Sequence, residues 1–232
     1  MDTFLDIIGH SLQFIGWAFF PLLLLPLFVV LTGRGQSLSN GLIAVVESFM
    51  DLLGEIIKWV MPFMVISIVI SIFALSIYGI SAPWWDETAI YLHAIGICLG
   101  VAPTYLAGQH VRVDILFEKM TKKMQALIEF CGFYILLVPV CIAVIWRSQS
   151  FVSFAWQTLE GSSTGNGIKG IYILKTLLFA MALLLLIQGF SMALRAALKL
   201  RNKSQLSAPM RADICFLEAE HSSFKVAPAE KT

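Results

Sequence analysis

From Trp59 to Gly79 the chain runs twenty-one residues without a charged side chain, and this run fixes the solvent before any other feature is considered. A helix rises about 1.5 Å per residue, so about 20 apolar residues cross a hydrocarbon core of about 30 Å. Comparable stretches lie at Phe14 to Leu31, after Glu87, at roughly Ala126 to Trp146 and at about Gly170 to Leu194. With 58% hydrophobic and 13% charged residues over 232 positions, there is far more apolar surface than a soluble domain of this length can bury. The expectation is an all-α membrane protein: a four-helix transmembrane core with interfacial amphipathic helices and an extra N-terminal transmembrane helix. Residues 1–40 hold that extra helix and a linker, 41–200 form one membrane domain, and 201–232 make a polar cytoplasmic tail expected to be disordered.

Charge and cysteine narrow the function classes. A net charge of +1 argues against nucleic-acid binding, which concentrates Lys and Arg on one face to neutralise phosphates. Cys98, Cys131 and Cys141 sit in apolar stretches, where a thiol behaves as a small hydrophobe, and no CxxC pair occurs. The N-terminal segment has Asp2 and Asp6 but no Lys or Arg before its apolar run, unlike a cleaved signal peptide. Catalysis needs a positioned nucleophile or acid–base set and a metal needs ligands at workable spacing. Neither pattern is present, so no catalytic residue, cofactor or metal is expected.

Pro21 and Pro26 should kink the first apolar run, and the polar stretch Thr32 to Asn40 reads as a turn. From Gly41 to Lys58, Leu42, Val45, Val46, Phe49, Leu53, Ile56 and Ile57 recur at helical spacing while Glu47, Asp51 and Glu55 follow at i, i+4 and i+8. This predicts a helix lying on the membrane surface or on a partner, its carboxylates a solvated face rather than a cation site. Trp84 and Trp85 suit a membrane–water boundary, and Asp86 and Glu87 open the next helix, where negative charge favours the positive end. Val113, Leu116, Phe117, Met120 and Met124 oppose Asp114, Glu118, Lys119, Lys122 and Lys123, predicting a short interfacial helix in contact with lipid headgroups. Residues Ser148 to Lys169 read as a loop with Phe151, Phe154 and Trp156 dipping into the interface. Basic residues near Arg112 and after Leu194 put both regions in the cytoplasm, with the turn at 78–85 and the loop at 148–169 outside.

Few ionisable groups lie within the spans. His93 sits well inside one, where it is a functional candidate or simply hydrogen-bonds a neighbouring helix or a partner. Asp86, Glu87, Arg147 and Lys175 share the outer level: either a carboxylate bridges a cation there, or each snorkels independently. Glu129 lies a turn inside its span, within reach of the basic interfacial helix or a partner subunit. No series of carboxylates crosses the bilayer as a proton relay requires.

The run WDETAIYLHAIGICLGVAPTYLAGQHVRVDIL, from Trp85 onward, resembles the second helix and following cytoplasmic segment of the small, DctQ-type membrane subunit of tripartite ATP-independent periplasmic (TRAP) transporters. His110, Val111, Arg112, Val113 and Asp114 match its polar segment, and Lys175, Gln188 and Gly189 fall where that family's final helix has them. The resemblance covers about 41–200. It departs in the extra proline-containing first span and in lacking a proline near the start of the final helix. What it implies is a scaffold subunit in the bacterial inner membrane, its C-terminus cytoplasmic, beside a large multi-span subunit that carries substrate and sodium sites and moves as an elevator. A periplasmic binding protein would deliver an organic acid or similar solute. Arg112 and Asp114 would orient the cytoplasmic segment, and Asp86, Glu87 and Arg147 would lie near the docked binding protein. Two rivals are the membrane anchor of a respiratory oxidoreductase, which would need a second buried haem ligand besides His93, and an autonomous channel, which would need polar residues lining a span.

Overall fold

The computed structural model describes residues 23–32, 35–107, 120–162, 164 and 166–201. Its elements are α1 (Leu25–Thr32), α2 (Gln36–Ile57), α3 (Val60–Tyr78), α4 (Pro83–Leu106), α5 (Lys122–Gly132), a π-turn (Phe133–Leu137), α6 (Val138–Gln157) and α7 (Ile171–Leu200). Four helical stretches are long and apolar enough to cross a membrane: Gln36–Tyr78, Pro83–Leu106, Lys122–Gln157 and Ile171–Leu200. The all-α membrane architecture is therefore as expected. Most of the extra first span, the segment from His110 to Asp114, the bulk of the interfacial helix and the tail lie outside the described residues.

Helix α7 is the axis of the bundle: α1, α2, α4, α5 and α6 all pack on it. Its carboxy-terminal third is buried almost without interruption from Gln188 to Leu198, the reverse of a lipid-facing surface. Phe190, Leu194 and Ala197 meet Val29 of α1, Ile43 of α2 and Phe130 and Phe133 of the α5–π-turn segment in the main core. A second core joins Met50 of α2 to Ala102 and Leu106 of α4. Helix α3 packs chiefly on α4, and Ser67 is its one buried residue. Its remaining apolar surface faces outward, as suits a helix solvated by lipid or by a partner.

Local sequence explains the boundaries. Gly35, at φ 89°, takes the left-handed conformation from which α2 starts. The turn expected at 32–40 does not extend over Gln36–Asn40, because that segment belongs to the amphipathic helix. Gly79, at φ 64°, ends α3, and Pro83 occupies the first turn of α4, where a missing N–H costs nothing. The loop expected from Ser148 begins only at Thr158, since α6 runs on to Gln157. Trp156 holds these last turns to α7: its indole N–H donates to Thr176 Oγ1 at 2.9 Å and its ring meets Tyr172 edge-on.

The π-turn precedes Pro139, whose ring would clash with the carbonyl four residues back in a regular α-helix. A widened turn relieves that clash. It also swings Phe133 and Leu137 against Gly189 of α7, where a Cβ would lie 2.6 Å from Leu137 Cδ2 and 3.0 Å from Phe133 Cδ2. Gly132 has open space around it. Gly189→Val should therefore destabilise the purified protein by about 1–3 kcal/mol through overpacking, read as a lower thermal midpoint, whereas Gly132→Ala should leave that midpoint in place or raise it.

Candidate functional site

Polar chemistry gathers at the two ends of α7, and at each end it ties helices together. At the carboxy-terminal end, Arg195 forks onto Glu47 of α2, with Nε donating to Oε1 and Nη2 to Oε2. Ser191 Oγ adds a hydrogen bond to the same Oε1 at 3.3 Å. Both charged side chains are only 10% exposed. The bidentate geometry supplies the partners that a carboxylate and a guanidinium require once water is withdrawn. Glu47 is therefore not part of a solvated face: Asp51 and Glu55 are exposed as expected, but Glu47 points inward. Its spacing explains why, because Ile43, Glu47, Met50, Gly54 and Ile57 share one stripe and the others in that stripe pack on α4 or the core. Gly54 lets α2 approach closely, its Cβ position lying 3.2 Å from Pro103 Cβ.

One turn further on, Lys199 Nζ lies 3.8 Å from Glu129 Oε2 of α5. Glu129 is thus within reach of the last helix, while most of the basic interfacial segment expected to pair with it lies outside the described residues. Arg201 continues the series by donating to the carbonyls of Val30 and Leu31, at 2.7 and 2.6 Å for Nε and Nη2 respectively. These are carbonyls that the end of α1 leaves without helical partners. Tyr134 of the π-turn donates to Leu23 O at 2.7 Å, so the segment preceding α2 is held at both ends.

At the amino-terminal end of α7 the expected bridge between Asp86 or Glu87 and Arg147 or Lys175 does not form. Glu87 accepts from Ser162 Oγ, from Thr164 Oγ1 at 2.8 Å and from the backbone N–H of Ile168 at 2.6 Å, so it organises the loop between α6 and α7. Asp86 accepts from Ser71 of α3. Lys175 pairs with Glu160, which follows α6, and lies 4.1 Å from the centroid of the Phe151 ring. The loop supplies the opposite charge and the acceptors closer at hand, which sequence spacing could not show. Arg147 is exposed and lines an open groove with Val144, Phe151, Phe154 and Leu178.

Two candidates lie at mid-span. His93 is exposed on α4, with no hydrogen bond or ion pair among the described residues. Gln188 is fully buried on α7, and neither polar atom of its side-chain amide has a hydrogen-bond partner among the described residues. His110, Arg112 and Asp114 lie outside the described residues. Among those described, no three His, Cys, Asp or Glu side chains cluster as metal ligands would. What the arrangement offers chemically is fixation: side chains at both ends join α7 to its neighbours, and α7 between Lys175 and Arg195 rises about 30 Å, the thickness of a hydrocarbon core.

Comparison with known proteins decides the family. The model of the DctQ component of tripartite ATP-independent periplasmic transporters matches residues 64–206. The chain belongs to the DctQ family. It is a multi-pass subunit of a TRAP transporter. No curated protein and no solved structure matches it. The matched region begins inside α3 and ends just past α7, so it takes in the Glu87 loop, the Glu129–Lys199 pair and Arg195. Glu47 and α1 lie before it. In this DctQ chain the residues ahead of the matched region therefore provide half of the best-buried ion pair.

Two outcomes follow. Removing the cation of the buried pair, Arg195→Ala, should cost about 3–5 kcal/mol because the Glu47 carboxylate keeps its burial and loses its counter-charge, whereas Glu47→Leu combined with Arg195→Met should recover most of the lost thermal midpoint. At the other end, Glu87→Ala should release the 158–170 loop while the helices persist, seen as faster protease cleavage in that loop with unchanged helical circular dichroism.

Proposed function

We propose that this chain is the small scaffold subunit that holds the large membrane subunit of a TRAP transporter in place during sodium-coupled uptake of an organic acid or similar solute. A periplasmic binding protein delivers that solute. The chain sits in the bacterial inner membrane with its C-terminus, beyond Arg201, in the cytoplasm, and the loop carrying Ser162, Thr164 and Ile168 on the periplasmic side. Residues 41–200 form the DctQ-like domain and 1–40 an extra N-terminal transmembrane helix with its linker. The family match carries this reading. It also weighs against the respiratory-anchor alternative, since it groups the chain with transport components.

Physical features of the bundle agree with such a role. A translocating subunit needs polar groups at mid-membrane that face a pathway, whereas the described ion pairs here lie at the two ends of α7 or, like Glu55 with Lys58, at the end of α2. Helix α2, amphipathic and pinned across the carboxy-terminal halves of α4 and α7, adds width at one membrane face. On this reading Arg112 and Asp114 orient the segment between α4 and α5 against headgroups or the large subunit.

The test is co-expression with the large-subunit and binding-protein genes of the same locus. The expected result is co-purification of the two membrane subunits and sodium-dependent uptake in proteoliposomes only when both are present with the binding protein. Uptake by this chain alone, or a purified chain that carries haem and no large subunit, would overturn the proposal.

A further inference from the structure

Among the described residues α4 packs mainly on α2, α3 and α7, and its residues show which way each lies. Gly96 faces α3, its Cβ position lying 2.4 Å from Met61 Cε. Ala102 and Leu106 enter the core with Met50 of α2. Tyr91 turns toward the start of α7, its hydroxyl 3.4 Å from where a Cβ on Gly170 would sit. Asp86 is engaged by Ser71 of α3, and what remains below it is a straight stripe at i, i+3 and i+7: Ile90, His93 and Ile97, all exposed. Ile90 is 57% and Ile97 49% accessible. The 3.5-residue spacing is the pattern with which one helix lies along another.

His93 distinguishes a protein partner from lipid on this stripe. It lies nine residues beyond Trp84, about 14 Å into a core about 30 Å thick. An imidazole on a short stem cannot reach the headgroups from there as a Lys or Arg does. Facing acyl chains it would leave an N–H donor and a ring-nitrogen acceptor unsatisfied in hydrocarbon. Some membrane-depth polar side chains are served within their own helix, Thr104 by the Gly100 carbonyl and Thr176 by that of Tyr172, and Gln188, which is not, is buried inside the bundle, whereas His93 faces outward. Isoleucines above and below the imidazole supply the apolar contacts that flank interhelical hydrogen bonds in membranes.

We infer that the Ile90–His93–Ile97 stripe of α4 is where a transmembrane helix of the large subunit docks, with a hydrogen-bonding side chain of that helix opposite His93. The inference rests on the TRAP reading above and goes beyond it by assigning the interface to one helix face. It also puts the mobile partner on the side of α4 left free by α2, α3 and α7, while α5 and α6 keep their outer faces toward lipid.

The experiment uses the complete transporter with a photoreactive benzoylphenylalanine at Ile90 or Ile97, and as control at Ile142, an exposed α6 residue. The account expects crosslinks to the large subunit from both stripe positions and at least tenfold less from Ile142. It also expects His93→Leu to reduce co-purification severalfold, with His93→Asn restoring it. An intact complex giving no crosslink from Ile90 or Ile97, or equal yields from Ile142, overturns the docking assignment. If the wild-type chain co-purifies with no large subunit, the TRAP reading itself fails, and the docking assignment falls with it.

Discussion

A glutamate and an arginine, each withdrawn from water, hold helix α2 of this protein to helix α7. The Glu47–Arg195 fork is the contact that turns a set of apolar rods into one framework. Apolar helices in lipid gain nothing from hiding their side chains, so packing, small residues and internal hydrogen bonds must decide which faces meet. Helix α2 is an extreme case. It is amphipathic and could lie anywhere along the interface, and a bidentate ion pair gives it one position and one register. Ser191, on the same face of α7, completes the carboxylate's shell. The pair's role lies less in net stability than in specificity, since a buried ion pair contributes little energy over a well-packed apolar pair.

The other end of the bundle uses weaker and more exposed interactions. Glu87 gathers a loop by accepting hydrogen bonds from two hydroxyls and one backbone N–H, and Lys175 is held between a carboxylate and an aromatic face. Between these ends α7 is clasped by helices on several sides, and the Gly189 notch lets the π-turn close against it. A bundle fastened at both ends around one central helix suits the static role proposed for it. The part of the chain ahead of the DctQ match extends the same logic, because α1 is held by Arg201 and Tyr134 and α2 by Arg195.

Much of this was legible in the sequence. The uncharged run from Trp59, the helix opened by Asp86 and Glu87 and the final apolar helix fell where hydropathy placed them, since length and charge alone determine a span. The family was readable from the His110 to Asp114 segment and the last helix. The partners of individual charges were not. Glu47 was assigned to water because it falls at i, i+4, i+8 with Asp51 and Glu55, yet it also belongs to the stripe of Ile43, Met50 and Ile57, and only the approach of α7 decides between those memberships. Likewise, Lys175 takes Glu160 rather than Asp86 or Glu87 because the turn after α6 comes back to it. Helix ends were read short at Gln36 and Gln157, where polar residues suggested turns but packing on α7 sustained the helix.

A static framework predicts one distance between α2 and α7 whatever the transporter is doing. Spin labels at Leu52 of α2 and Leu178 of α7, both exposed, would report it by pulsed electron resonance in the complete complex. The account predicts a single narrow distribution that stays in place when sodium, the solute and the loaded binding protein are added. A second distance that grows in as substrate and sodium are supplied would show that this subunit moves with transport, and would contradict the central claim.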